Sequence, residues 1–237
     1  MVRYFDALAP LYAEAHGHAT HLLTYRLGVI RALLQGAKPG TLLELGCGTA
    51  IHLLELSDSF EHLIGTDASP AMIGAAGELA AKVAPRLDIS LRVDPAEELS
   101  TVPDASVDAV VCVGSLEHMP DKLRVLQQVR RVLAPGGRLV CLTPNGGYAW
   151  YRHIAPMLRR DVRHLSTDHF VTRAELDSLV RAAGLTVVDR RYWTFVPRGD
   201  MPTGIGPLLS TLDELGRRAG AGYLRGGVAV AAVAPST

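Results

Sequence analysis

The stretch LLELGCGTA, Leu42 to Ala50, carries an apolar strand pattern into a turn with glycines at 46 and 48. At the C-terminal end of a parallel strand such a turn lets a ligand approach the main chain, because a Cβ at Gly46 or Gly48 would block it. A G-x-G-x-x-G fingerprint would need glycine at Ile51, and the shorter G-x-G-x-G would need it at Ala50; neither is complete. About twenty residues on, Thr66-Asp67 closes a second β-rich run. A carboxylate there can accept from both ribose hydroxyls and would repel a 2′-phosphate. A third run ends in Asp94-Pro95-Ala96-Glu97. A carboxylate or carbonyl at that point can accept from an adenine amine, and Asp94 before Pro95 is equally a helix N-cap.

Three further positions could do chemistry. His118, in VCVGSLEHMPD after the fourth β-rich run, sits at the same rim. It is either a general base for an acceptor that must lose a proton or a loop residue bonding its own main chain. Arg26 offers a guanidinium to a free carboxylate; the competing reading is an exposed helix arginine. The segment GGYAWYRHIAPMLRRDVRHLSTDHF combines aromatics, histidines and arginines. From it Tyr148, Trp150, Tyr151 and Met157 are candidates to line an apolar acceptor pocket, with His153, His164 and His169 as further acid/base candidates. The string HGHATH, with His16, His18 and His21, has three imidazoles but no accompanying cysteine or carboxylate cluster, so no metal is expected.

These residues need a scaffold, and the pattern supplies an α/β one. Strands are predicted at Thr41–Leu45, His62–Thr66, Ile89–Val93, Val107–Val113, Gly137–Leu142, Leu185–Phe195 and Gly227–Val233. Between them lie helices with readable ends: Ser69 caps a helix with Pro70 in its first turn, and Asp121 opens KLRVLQQVRRVL, which the glycines of LAPGG stop. Thr172 and Glu175 form a capping box for a helix ending before Gly184, and a short helix is expected around Leu208 to Arg218. The expectation is one domain over residues 1–237: a Rossmann-like, seven-stranded, mostly parallel sheet with helices on both faces. An N-terminal helical cap (1–36), a lid insertion (145–170) and a variable connection (197–225) complete it. Cap and lid should lie over the sheet's ligand edge, where loops after parallel strands gather.

The 237 residues carry 24 basic and 24 acidic side chains, so no basic field favours a nucleic-acid partner. No apolar run is long enough to span a membrane, and MVRYFDALAP lacks a signal-peptide core, which predicts a cytoplasmic protein. Three cysteines without CxxC spacing, two of them inside apolar runs, read as structural thiols. Oligomeric state is not readable from the sequence.

The set LLELGCGTA, GTDASPAMI, VDPAEEL, VDAVVCVGSLEHMPD and VLAPGGRLVCLTPN, in that order, resembles class I S-adenosylmethionine-dependent methyltransferases. The similarity is greatest to the ubiquinone-biosynthesis O-methyltransferase type and covers residues 20–190. It implies the fold with an antiparallel last strand, S-adenosyl-L-methionine as cofactor and a small-molecule acceptor methylated at oxygen. Peripheral contact of the lid with a membrane is also compatible with it. Arg26 matches the family arginine that contacts the cofactor carboxylate, and Gly46, Asp67 and Val113 carry over as further contacts. Glu44, Cys47, Gly48, Ala68, Met72, Asp94, Pro95 and Ala96 complete the expected cofactor site, with Tyr12 closing over it. Three positions depart from the family pattern: Glu44 replaces a commoner aspartate, Ala50 the third glycine, and Ser115 an acidic residue usual in quinone methylases. The last bears on the substrate more than on the chemistry. A nicotinamide-dependent oxidoreductase and a non-catalytic cofactor-binding subunit are the alternatives.

Overall fold

The computed structural model describes residues 2–17, 20–159, 167–193, 208, 211, 215 and 222–236, with side chains omitted for residues 10–17, 20 and 21. Two helices open the chain, α1 (Val2–Gly17) and α2 (Thr20–Leu34), followed by β1 (Thr41–Leu45) and α3 (Ile51–Glu55). Then come β2 (His62–Asp67), α4 (Pro70–Val83), β3 (Ile89–Val93), β4 (Val107–Val113), α5 (Lys122–Val132) and β5 (Leu133–Pro144). A π-helical turn, Trp150–Ile154, continues into the short α6 (Ala155–Met157). The chain closes with α7 (Arg173–Ala182), β6 (Thr186–Trp193) and β7 (Gly227–Val233).

The strands form one sheet in the order β3-β2-β1-β4-β5-β7-β6, parallel through β5 and antiparallel on both sides of β7. The period-two alternation of strand side chains divides the core. Leu43, Leu45, Val110, Cys112, Leu139 and Cys141 face a layer built from α5 and α7 through Val125, Leu126, Val129, Leu176 and Val180. Leu42, Ala109, Val111, Val140, Leu142 and Ala231 face the opposite layer, where Ile30, Leu33 and Leu53 pack. Both faces of β1, β4 and β5 are covered, which is why these strands read as nearly continuous apolar runs.

The local signals behave as their chemistry requires. Ser69 Oγ accepts from Met72 N at 3.1 Å with Pro70 in the first turn, and Asp121 Oδ1 accepts from Arg124 N at 2.9 Å. Thr172 and Glu175 form the reciprocal capping box. Several boundaries differ: β2 ends at Asp67, not Thr66, β6 starts at Thr186, not Leu185, and β5 runs from Leu133 to Pro144, not from Gly137 to Leu142. The α5 helix ends because Leu133 turns extended and Ala134, preceding Pro135, disfavours the helical region; the glycines lie inside the strand, across an irregular register with β4. Residues 194 and 195 of the predicted sixth strand, and all but three isolated positions of the helix expected at 208–218, lie outside the described residues.

The N-terminal cap does reach the C-terminal rim of the sheet. Asp6 of α1 accepts from Ser69 Oγ at 2.5 Å, and the Phe5 ring stands 5.1 Å from that of His118. The insertion is pinned at its base by Gly146 N donating to Val171 O at 2.9 Å. Asn145 secures the same point, donating from Nδ2 to the carbonyls of Gly222 and Arg225 at 3.0 and 2.9 Å and accepting from Gly147 N.

Candidate active site

The turn after β1 is held from both sides. Gly46 takes φ +60°, and a Cβ there would lie 2.6 Å from Ser115 Cβ, so glycine is required first by its neighbour. Ser115 Oγ donates to Leu45 O at 2.9 Å, tying the ends of β1 and β4 together. The serine that replaces an acidic residue is therefore turned into the sheet. Ala50, where the third glycine is missing, sits at φ 59°, ψ 23°, fully buried. The turn thus keeps a left-handed geometry without the residue best suited to it.

Asp67 bridges two turns: Oδ2 accepts from Gly48 N at 3.0 Å and Oδ1 from Ser69 N at 2.9 Å. Burial raises its carboxyl above the usual range; the Ser69 and Gly48 N–H groups pull it back, and the nearby Asp6 charge raises it further. Ala68 is half-buried beside it, and Met72 is buried in the first turn of α4. Cys47 is buried, and burial followed by the charges of Glu44 and Asp67 lifts its thiol well above the ordinary value, so it stays protonated. Cys112 and Cys141 are buried register partners on β4 and β5.

Of the two sequence readings of Asp94, the structure displays a capping one, though of a turn and not of a helix. Its carboxylate is buried and accepts from the main-chain N–H and hydroxyl of both Ser100 and Thr101, at 2.7 to 3.4 Å. An adenine amine would have to share an oxygen that already has two donors; beside it Pro95 is half-buried, its carbonyl accepting from Glu98 N and Leu99 N at 2.9 Å, and Ala96 is buried. Val113 is buried at the end of β4.

Glu44 is 1% exposed. Its Oε1 lies 3.0 Å from His52 Nδ1, and His52 Nε2 lies 3.2 Å from Arg26 Nη1, with the guanidinium 5.8 Å from the Trp193 ring. Glu44 Oε2 is buried without a hydrogen-bond partner. A buried carboxylate oxygen is costly unless a donor completes it, and a ligand ammonium fits that requirement. Sequence reading missed His52; its position, a histidine two residues past a left-handed turn, was the available signal.

At the far side of the rim, the short turn Leu116–His118 presents His118, whose Nδ1 lies 2.7 Å from Asp168 Oδ1. Both side chains are almost wholly buried. Next to this pair, His169 N donates to Glu117 O at 3.1 Å, so the end of the insertion is fastened to the turn after β4. Glu117 is buried and accepts from Thr143 Oγ1 at 3.1 Å; burial raises its carboxyl, while His118, its main chain and Thr143 act in the opposite sense. Lys122, its ammonium lowered by burial, donates to Met119 O at 2.8 Å.

In the lid, Tyr148 and Tyr151 meet edge to face at 5.0 Å, and the Tyr151 ring lies 5.1 Å from that of Phe170, tilted by 54°. Trp150 is half-buried, whereas the His169 side chain is exposed and Met157 is 76% exposed. Met157 therefore stands apart from the half-buried aromatic group of Tyr148, Tyr151 and Phe170. The Tyr12, His16 and His21 side chains, and His18 and His164 entirely, lie outside the described residues. Among the described residues no three His, Cys, Asp or Glu side chains cluster as metal ligands, and no helix is long and apolar enough to cross a membrane.

A parallel sheet ending in an antiparallel hairpin, with a glycine turn after β1 and an acid closing β2, is the frame of a methyltransferase. Residues 18–190 match the family model described as a methyltransferase domain, and the chain belongs to that family. The ubiquinone biosynthesis O-methyltransferase of Xanthomonas oryzae pv. oryzae is 28% identical over 197 residues, spanning 78% of this chain and 80% of that protein. An S-adenosylmethionine-dependent methyltransferase of Thermotoga maritima, titled a possible histamine N-methyltransferase, superposes with a TM-score of 0.71 at 18% identity, covering 98% of this chain and 99% of that one. The (4+2)-cyclase SpnF superposes at 0.73 with 20% identity, covering 100% and 95%. The two solved structures share the fold; one is a cyclase and the other a methyltransferase, so that fold hosts more than one reaction.

Proposed function

We propose that the protein transfers the methyl group of S-adenosylmethionine to a hydroxyl or phenol oxygen of a small, partly aromatic acceptor. The observation that carries this reading is the His118–Asp168 pair, a base and its orienting carboxylate 2.7 Å apart, set between the β4 turn and the lid. An amine acceptor can react as its free base, whereas a hydroxyl has to lose a proton as it attacks. Family membership and the antiparallel terminal strands set aside the nicotinamide oxidoreductase.

The cofactor, when bound, supplies a methyl on a positively charged sulfur that leaves as a neutral thioether. Asp67 would accept from the ribose hydroxyls, the main chain at Gly46 and Gly48 would admit close contact, and Val113 and the Pro95-Ala96 edge would flank the adenine. Glu44 Oε2 would complete the ammonium and Arg26 the carboxylate. Asp168 accepts from Nδ1–H of His118, which puts the imidazole lone pair on Nε2. His118 Nε2 would take the proton that an acceptor hydroxyl loses on methylation, and Asp168 would steady the resulting imidazolium. Phe5 and the aromatic lid exclude water around this transfer.

The reading is tested by incubating the protein with S-adenosylmethionine and separate panels of phenols, alcohols, amines and carboxylic acids. Thioether release and product mass spectra are then recorded. O-methylated phenols or alcohols support it; N-methylated products alone contradict it.

A further inference from the structure

Glu44 on β1, His52 on α3 and Arg26 on α2 form a single chain of contacts, 3.0 Å from Glu44 Oε1 to His52 Nδ1 and 3.2 Å from His52 Nε2 to Arg26 Nη1. We propose that His52 is a positioning residue that holds these opposite charges apart, so that together they read the amino and carboxylate groups of the methyl donor. This rests on the cofactor reading above.

The chemistry of the three groups fixes the arrangement. An ionised carboxylate only accepts hydrogen bonds, and a guanidinium only donates. The imidazole between them must therefore donate from Nδ1 to Glu44 and accept at Nε2 from Arg26, which defines one neutral tautomer. Glu44 and Arg26 in direct contact would form a bidentate pair, each spending its charge on the other. With the imidazole interposed, Arg26 meets a neutral acceptor at this contact instead of an anion. Glu44 spends one oxygen on His52, and the other is left buried without a donor. That leaves an oxygen suited to an ammonium beside a guanidinium suited to a carboxylate, the two ends of a free amino acid group. Trp193, 5.8 Å from the guanidinium, flanks the arginine on another side.

The test is calorimetric binding of S-adenosylhomocysteine and of 5′-methylthioadenosine, which shares the adenosine and sulfur but lacks the amino-carboxylate. Wild type, Arg26→Ala, His52→Phe and His52→Asn are compared. His52→Phe is expected to weaken S-adenosylhomocysteine by about tenfold or more and to leave 5′-methylthioadenosine within about twofold. His52→Asn, whose shorter side chain keeps only the Glu44 contact, gives the same selective loss should the phenylalanine variant not fold. Equal losses for both ligands, or none, overturn the proposal. Selective loss in Arg26→Ala without it in the His52 variants removes the positioning role alone. Absence of selectivity in Arg26→Ala removes the carboxylate contact itself, and the His52 role with it.

Discussion

Asp168 Oδ1 and His118 Nδ1 lie 2.7 Å apart although fifty residues separate them in the chain. The contact joins the end of the lid to the turn after β4 and fixes which imidazole nitrogen carries the lone pair. Asp168→Asn keeps the shape but can donate its amide N–H to Nδ1, favouring the wrong tautomer. Turnover is expected to fall by about 10²-fold or more while the affinity for S-adenosylhomocysteine stays near wild type. Rates measured at saturating cofactor check this; an unchanged rate contradicts the orienting role.

Asp67 holds the Gly48 and Ser69 amides, and under the proposed function it also offers the ribose an acceptor. Asp67→Ala should weaken S-adenosylhomocysteine by at least about tenfold in calorimetry, since hydrogen bonds to a charged group are lost. Unchanged affinity in the folded variant removes the ribose contact.

Ala50 is a buried, left-handed residue. Glycine there would relieve about 1 kcal/mol of backbone strain and forfeit about 0.8 kcal/mol of methyl burial. Ala50→Gly should therefore change both stability and cofactor affinity little. Ala50→Val, β-branched in the same conformation with no room beside it, should cost about 2 kcal/mol or more in urea unfolding. A valine variant as stable as wild type would contradict the geometry of the turn.

Burial holds the Glu117 carboxyl above its usual range. A raised carboxyl binds its proton more tightly folded than unfolded, so stability falls as pH rises from the unfolded value through the folded one. Relative to Glu117→Gln, which keeps an acceptor for Thr143, wild type should gain stability as pH is lowered from about 8 to about 5. Urea midpoints across that range measure the difference; a gap moving in the opposite sense contradicts the assignment.

Much of the frame was legible because its signals are local. Ser69-Pro70, the Thr172/Glu175 box and the nearly continuous apolar run of β4 each act within a few residues, so those helix starts and the limits of β4 followed from the chain alone. The positions of Gly46, Asp67 and Val113 at the ends of β1, β2 and β4 followed in the same way. What escaped depends on contacts across the fold: His52 with Arg26 over 26 residues, His118 with Asp168 over 50, Ser69 with Asp6 over 63. No periodicity encodes such pairs. Asp94 shows the other limit, since one carboxylate could cap a turn or meet a ligand, and only its four donors reveal the first use.

The most direct test of the account is the turnover of His118→Ala on an O-methylated acceptor found in the screen, at saturating S-adenosylmethionine. The account predicts a fall of about 10²- to 10⁴-fold, with the fold and the affinity for S-adenosylhomocysteine retained. Turnover near wild type would show that no proton has to pass to His118, and would contradict it.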